Sequence, residues 1–112
     1  MDYTDRDLKK ALAAVKRTLK PYVGRLSAQR SFLDEDPILF DGIEFTDEVT
    51  RLVVLVARGK TARPPRYFLN IYLGRSLNDN YVSESYESLS DLIDGIEQHV
   101  AAAAASRFER VA

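Results

Sequence analysis

The chain has 112 residues, 46% of them hydrophobic and 29% charged, a composition typical of one folded domain and not of a disordered segment. With 17 acidic and 16 basic residues the net charge is −1, which excludes attraction of nucleic acid or anionic membranes by overall charge. The absence of cysteine excludes disulfides, cysteine-ligated metals and a thiol nucleophile. We therefore treat residues 1–112 as a single domain and expect no cofactor.

The N-terminal residues 1–5 are acidic and have no apolar core, unlike a secretory signal peptide. The longest apolar run, residues 52–57, is too short to cross a bilayer. We expect a cytoplasmic protein of bacterial type that does not enter a membrane.

Helical spacing of apolar residues begins close to the N-terminus. Thr4 and Asp7 have the spacing of a capping box, and Pro21 predicts that the helix ends near residue 20. The apolar stripe between them is formed by Leu8, Ala11, Leu12, Val15 and Leu19. The sequence therefore predicts an N-terminal helix.

Residues 22–45 carry weaker signals, compatible with strands or with a long wrapping loop. Residues 26–33 show the partial alternation of a strand. The dipeptide Asp41-Gly42 separates two short apolar runs and is a strong signal for a tight hairpin turn. We therefore expect a short hairpin centred on Asp41 and Gly42.

Two strands rich in β-branched and aromatic residues follow, at residues 51–58 and 66–73. The Gly- and Pro-containing stretch between them, residues 59–65, predicts the loop of a central hairpin. Gly74 and residues 78–80 predict the next turn, after which Tyr81 and Val82 indicate a short edge strand.

A second helix is predicted from Ser88, which has capping-box spacing to Asp91. Gly95 interrupts this helix at a cost of about 1 kcal/mol relative to alanine. Its apolar stripe consists of Leu89, Leu92, Ile93, Ile96, Val100 and Phe108. The predicted fold class is α+β in the order α-β-β-β(-β)-α, with an antiparallel meander sheet of three to five strands between the helices.

Both sides of the central hairpin are apolar. If Leu52, Val54 and Val56 face one way, Val53, Leu55 and Ala57 face the other, where Phe68 and Tyr72 join them. Burial of one such side chain is worth about 1.5–3 kcal/mol, so we expect this second side to be covered. The predicted covers are residues 38–45, one of the helices, or a second copy of the chain. The predicted interaction face is Val53, Leu55, Phe68 and Tyr72.

The most basic stretch surrounds the central hairpin loop. It could bind nucleic-acid phosphates by charge, with Tyr67 and Tyr72 available for stacking. The alternative is a solvated loop whose charges discourage edge pairing. The residues concerned are Arg58, Lys60, Arg63, Arg66 and Arg75.

An acidic band rich in tyrosine and serine follows. It predicts a surface for a basic protein partner, with Tyr81 and Tyr86 as anchors. The alternative is that acidic residues near a helix N-terminus are favoured by the helix dipole and need no partner. The carboxylates of the band are Asp79, Glu84, Glu87 and Asp91, with Asp94 one turn later.

His99 is the only histidine and cannot form the paired spacings of a zinc site. Carboxylates are plentiful, but no pair stands out for acid–base catalysis. We therefore expect a non-enzymatic protein–protein interaction module, of the adaptor, chaperone or immunity-protein kind, which binds another protein or itself as a homodimer. A nucleic-acid-binding module using residues 58–75 is the alternative, and a small enzyme using carboxylates is the least favoured.

Overall fold

The computed structural model describes residues 6–29, 38–48, 50–59, 66–74 and 80–111. The elements in chain order are α1 (Arg6–Leu19), β1 (Arg25–Gln29), β2 (Ile38–Thr46), β3 (Arg51–Gly59), β4 (Tyr67–Leu73), β5 (Asn80–Tyr86) and α2 (Leu89–Arg107). The strands form one antiparallel sheet in the order β1-β2-β3-β4-β5. The predicted α+β class with a helix at each end is confirmed, and the sheet has the largest number of strands that we expected.

The two helices form where the sequence predicts them. One face of α1 is buried, at Leu8, Ala11, Ala14, Val15 and Leu19, and the helix ends two residues before Pro21. Ser88 is the N-cap of α2, and its hydroxyl accepts a hydrogen bond of 3.0 Å from the Asp91 amide. Thr4 of the predicted first capping box lies outside the described residues. No helix in the described part of the chain is long and apolar enough to span a membrane.

The predicted hairpin turn at Asp41 and Gly42 is wrong. Both residues lie inside β2, which pairs without interruption along the whole of β3. Gly42 does not have the positive φ that such a turn requires; among the described glycines only Gly74 does, with φ 97°. A turn there would leave two very short strands, whereas one nine-residue strand pairs along its whole length with β3 and over residues 42–46 with β1 as well.

The turn that joins β2 to β3 is instead made by Asp47. Its carboxylate accepts a 2.7 Å hydrogen bond from the Thr50 amide, and its own amide donates to the Thr50 carbonyl at 3.1 Å. An aspartate in this position commonly closes a turn through its side chain. β1 and β2 account for residues 25–29 and 38–45 of the region for which a long wrapping loop was the alternative, so these residues are strands, whereas residues 30–37 lie outside the described residues.

The last strand is longer than Tyr81 and Val82 alone. β5 runs from Asn80 to Tyr86, and an irregularity in its pairing with β4 falls between Ile71 and Tyr72. Serine and glutamate in the middle of β5 are poor signals for a strand, so the pairing with β4 overrides local propensity here.

The core lies on one side of the sheet, between it and both helices. We call this the helix side. It carries buried residues of β3 and β4, including Leu52, Val54, Leu69 and Ile71, which contact the buried stripes of α1 and α2. A hydrogen bond of 2.7 Å from the Tyr67 hydroxyl to the Asp7 carboxylate joins the sheet to α1. The alternation predicted for the central hairpin is therefore confirmed.

The C-terminal residues return to the sheet after α2 ends. Phe108 is buried, and its ring lies 4.7 Å from that of Phe45. A Cβ atom on Gly24 would collide with the Phe45 ring, so a glycine is required beside this aromatic pair. The amide of Val23 donates to the Glu109 carbonyl at 2.7 Å, which ties the C-terminal segment to the start of β1.

Candidate functional site

A groove of about 600 Å³ opens between β5 and the N-terminal half of α2. It is open to solvent and its walls are mainly polar. Its lining residues come from the start of β4, from β5 and the turn after it, and from one stripe of α2: Arg66, Glu84, Ser85, Tyr86, Glu87, Asp91, Asp94, Gly95, Gln98 and His99.

The helical wall of the groove follows from residue spacing. Residues three and four apart lie on one face of a helix, which aligns Asp91, Asp94, Gly95, Gln98 and His99. The opposite stripe of α2, with Leu92, Ile96 and Val100, is buried in the core. The helix can therefore present its acidic stripe only towards the edge of the sheet.

The strand wall is set by the pairing of β5 with β4. Glu84 and Tyr86 pair with Leu69 and Tyr67, both of which belong to the core, so their side chains lie on the helix side. Ser85 faces the other way, and its hydroxyl accepts a 3.0 Å hydrogen bond from an Arg66 guanidinium nitrogen.

Tyr86 and Gly95 form the floor of the groove. A Cβ atom on Gly95 would collide with the Tyr86 hydroxyl oxygen and ring, so only glycine lets the phenol lie against the helix. Burial raises the pKa of Tyr86 above its usual value, and the Glu84 carboxylate raises it further. The phenol is therefore protonated at neutral pH and has an O–H donor. Sequence reasoning treated Gly95 only as a weak point of the helix and missed this packing role.

The carboxylates of the groove are exposed and are not neutralised within the described residues. Arg17 pairs with Glu97 and Arg51 pairs with Glu44, and neither ion pair involves the groove. The helix dipole favours Asp91 in the first turn of α2. It does not account for Asp94 in the second turn, because the effect falls off within the first turn.

Three of the four predicted acidic-band residues come together here. Glu84, Glu87 and Asp91 line the groove, whereas Asp79 lies outside the described residues. Gln98 and His99 were not predicted as site residues, although their spacing from Asp91 and Asp94 is the signal that could have placed them on the same stripe. No group of acidic or histidine side chains in the described ranges is arranged to hold a metal ion.

The predicted interaction face lies on the side of the sheet opposite the helices. We call it the outer face and define it by Val53, Leu55, Phe68 and Tyr72. Val53 is only 1% exposed, whereas Leu55, Phe68 and Tyr72 are half-buried. Val53 pairs with Glu44, whose carboxylate accepts a 2.6 Å hydrogen bond from Arg51 on the same face.

Two of the covers that we expected for the outer face are wrong. Both helices pack on the helix side, and residues 38–45 belong to β2, which pairs beside β3 and does not cross its face. A strand in the same sheet uses its edge for pairing and cannot also lie over its neighbour. Within the described residues, no helix or strand lies across the outer face.

The described part of the predicted basic hairpin does not form a single cluster. Arg58 is half-buried and pairs with Tyr67 on the helix side, whereas Arg66 is exposed and bonds to Ser85. Lys60, Arg63 and Arg75 lie outside the described residues. The two described arginines thus leave the sheet in different directions.

The chain is thus an α+β meander with an acidic groove at one edge of its sheet. Comparison with protein-family models, with curated proteins and with solved structures gave no match. Its function therefore has to be inferred from its own residues.

Proposed function

We propose that this protein is a non-enzymatic protein–protein interaction module of the cytoplasm, which binds a basic segment of a partner protein in the groove between β5 and α2. The observation that supports this is that four carboxylates, those of Glu84, Glu87, Asp91 and Asp94, line one groove with a single arginine, and none of the four has an ion-pair partner among the described residues. β5 and the turn after it supply Glu84 and Glu87, and α2 supplies Asp91 and Asp94. Their meeting is a result of the tertiary fold.

The acidic residues of the groove repel one another. Like charges three or four residues apart on a helix, such as Asp91 and Asp94, destabilise it by about 0.2–0.5 kcal/mol. A basic partner removes this repulsion when it binds. Complementary charge also speeds association and selects against acidic partners.

Tyr86 supplies an apolar contact in the same groove. Its ring lies against Gly95, and its hydroxyl can donate to a partner carbonyl. Tyrosine is among the residues that contribute most to binding at protein interfaces. A basic side chain with an aliphatic stem can thus pack on the ring while its charged end meets a carboxylate.

The test compares two variants with the same change of charge. Glu87→Gln with Asp94→Asn removes two carboxylates from the groove. Glu48→Gln with Glu109→Gln removes two exposed carboxylates from elsewhere on the protein. Wild type and both variants are used to capture proteins from the native cells, and each captured protein is then purified and titrated by calorimetry.

We expect a partner that binds the wild type and the control variant equally and the groove variant about tenfold more weakly, with affinity falling as salt is raised. Partners bound equally by all three proteins would contradict the proposal. Conversion of a small metabolite by the purified wild type would favour the enzyme alternative.

Self-association through the outer face is a second candidate. It is favoured by the half-buried side chains of Leu55, Phe68 and Tyr72 on one side of β3 and β4, where Tyr72 pairs with Val53 and no described element lies across them. A homodimer would remove these apolar side chains from water. A Phe68→Glu variant that stays folded but no longer dimerises would support it.

A further inference from the structure

We infer that the groove holds its partner by strand addition: an extended segment with basic residues at alternate positions pairs antiparallel with the free edge of β5. This inference rests on the proposed function, because it names how a basic segment occupies the same groove. Strand addition to an exposed sheet edge is a common way of binding peptides, in which main-chain hydrogen bonds supply affinity and alternate side chains supply specificity.

β5 lies at one edge of the sheet. β5 is the last strand in the order β1-β2-β3-β4-β5, so within the described residues it pairs with β4 alone. Its irregular pairing lies at the Asn80 end, which leaves a regular stretch from Val82 to Tyr86. The strand contains neither lysine nor proline, and its one charged residue, Glu84, opposes pairing with an acidic strand but not with a basic one.

Every second residue of β5 directs its backbone N–H and C=O groups away from β4. The amide of Gly59 in β3 donates to the Arg66 carbonyl at 3.0 Å, so residue 66 and every second residue after it in β4 face β3. Residues 67, 69 and 71 must then face β5, where they pair with Tyr86, Glu84 and Val82. The backbone N–H and C=O groups of Ser83 and Ser85 consequently point outward at the free edge.

Side chains of a strand added to β5 would alternate between the two sides of the sheet. In an antiparallel pair, residues opposite Ser83 and Ser85 place their side chains on the outer side of the sheet, and the residues between them face the helix side. The helix side at this edge is the groove, with Glu84 on the strand and Asp91 and Asp94 on α2. Lysine or arginine at alternate positions of the added strand would therefore meet these carboxylates.

The same charges argue against a second copy of this chain at this edge. Two β5 strands placed side by side would bring the Glu84 carboxylates of both copies to one edge, together with those of both α2 helices. Like charges across neighbouring strands are destabilising. The occupant with complementary charge is a basic extended segment of another protein.

The test uses a short synthetic peptide of alternating lysine and valine and two N-methylated forms of it. N-methylation of the valines removes the N–H donors that would face Ser83 and Ser85, whereas N-methylation of the lysines removes only those that point away. All three peptides have the same charge and the same side chains. Affinity is measured by fluorescence anisotropy, and the bound site by amide hydrogen exchange.

We expect methylation of the valines to weaken binding about tenfold and methylation of the lysines to leave it unchanged. The amides of Ser83 and Ser85 should exchange more slowly in the complex, whereas those of β1, the opposite edge, should not change. Equal binding of both methylated peptides, or slowed exchange at β1 instead, would overturn strand addition at β5.

The groove variant, Glu87→Gln with Asp94→Asn, separates this inference from the proposed function. If the variant loses affinity but methylation has no effect, the groove binds basic segments by charge and strand addition is wrong. If the unmethylated peptide binds wild type and groove variant equally, the acidic groove is not the binding determinant and the proposed function fails.

Discussion

The two sides of β3 and β4 are built from similar side chains but have different surroundings. On the helix side Leu52, Val54 and Leu69 are completely buried between the sheet and the helices. On the outer face Val53 is also buried, but Leu55 and Phe68 are only half-buried and no described helix or strand lies over them. An apolar strand face therefore does not by itself determine where a small protein places its core. That depends on which side the helices occupy.

Leucine truncation in one strand is the strongest way to test this difference. Leu52→Ala removes a fully buried side chain on the helix side, and we expect the free energy of unfolding to fall by about 2–5 kcal/mol. Leu55→Ala is the matched control, because it makes the same change three residues later on the outer face. Leu55→Ala should lower the free energy of unfolding by clearly less, since truncation of a half-buried side chain leaves no closed cavity.

Urea denaturation followed by circular dichroism measures both losses. Equal losses at Leu52 and Leu55 would mean that the outer face is as well covered as the helix side. The inference that the two sides of the sheet differ in burial would then be wrong.

A single added methyl group tests how tightly the helix side is packed at the groove. Gly95→Ala should raise helix propensity by about 1 kcal/mol, but the new methyl group collides with Tyr86. Overpacking commonly costs about 1–3 kcal/mol, so we expect a net loss of stability. In a Tyr86→Ala background the collision is absent, and the same substitution should stabilise the protein by about 1 kcal/mol.

Thermal unfolding of the four proteins in this double-mutant cycle supplies the measurement. A stabilising effect of Gly95→Ala in both backgrounds would show that Tyr86 does not need the space above Gly95.

Phe68→Glu should have the smallest effect on the fold and a large one on assembly. Because Phe68 is only half-buried on the outer face, a charge there should leave the circular dichroism spectrum unchanged. We expect the wild type to be a dimer by light scattering on a sizing column and the variant to be a monomer, since a charge at the centre of an apolar interface opposes its burial. Ala102→Glu, on the exposed surface of α2 and therefore on the other side of the sheet, is a control that should remain dimeric.

A wild type that is monomeric at every concentration would contradict self-association through the outer face. Loss of folding in Phe68→Glu would instead identify this face as an ordinary part of the core.

Much of the local structure could be predicted from sequence because its causes are local. The stripe of α1, the Ser88 cap of α2 and the alternation of the central hairpin depend on residues a few positions apart. The acidic band was also visible as a run of residues. That its carboxylates share a groove with His99 was not, because this depends on how α2 crosses β5.

The errors have a common physical origin. Asp41 and Gly42 have a strong local preference for a turn, but continuous pairing of β2 with β3, joined by β1 from Gly42 onward, satisfies more backbone groups than a short hairpin would. In β5 the same effect extends a strand through serine and glutamate, which local propensity disfavours. In both strands, hydrogen bonds to distant parts of the chain override the preference of the residues themselves.

By itself the sequence determined the α+β class, the two helices with their buried stripes, and the existence of two apolar sides on the central hairpin. Only the tertiary structure decided that both helices pack on one of these sides, that Gly95 makes room for Tyr86, and that the acidic stripe of α2 lies beside the free edge of β5. The physical reason is that periodicity and capping act within one element. The choice of side and the assembly of a groove depend on packing between elements that are far apart in the chain.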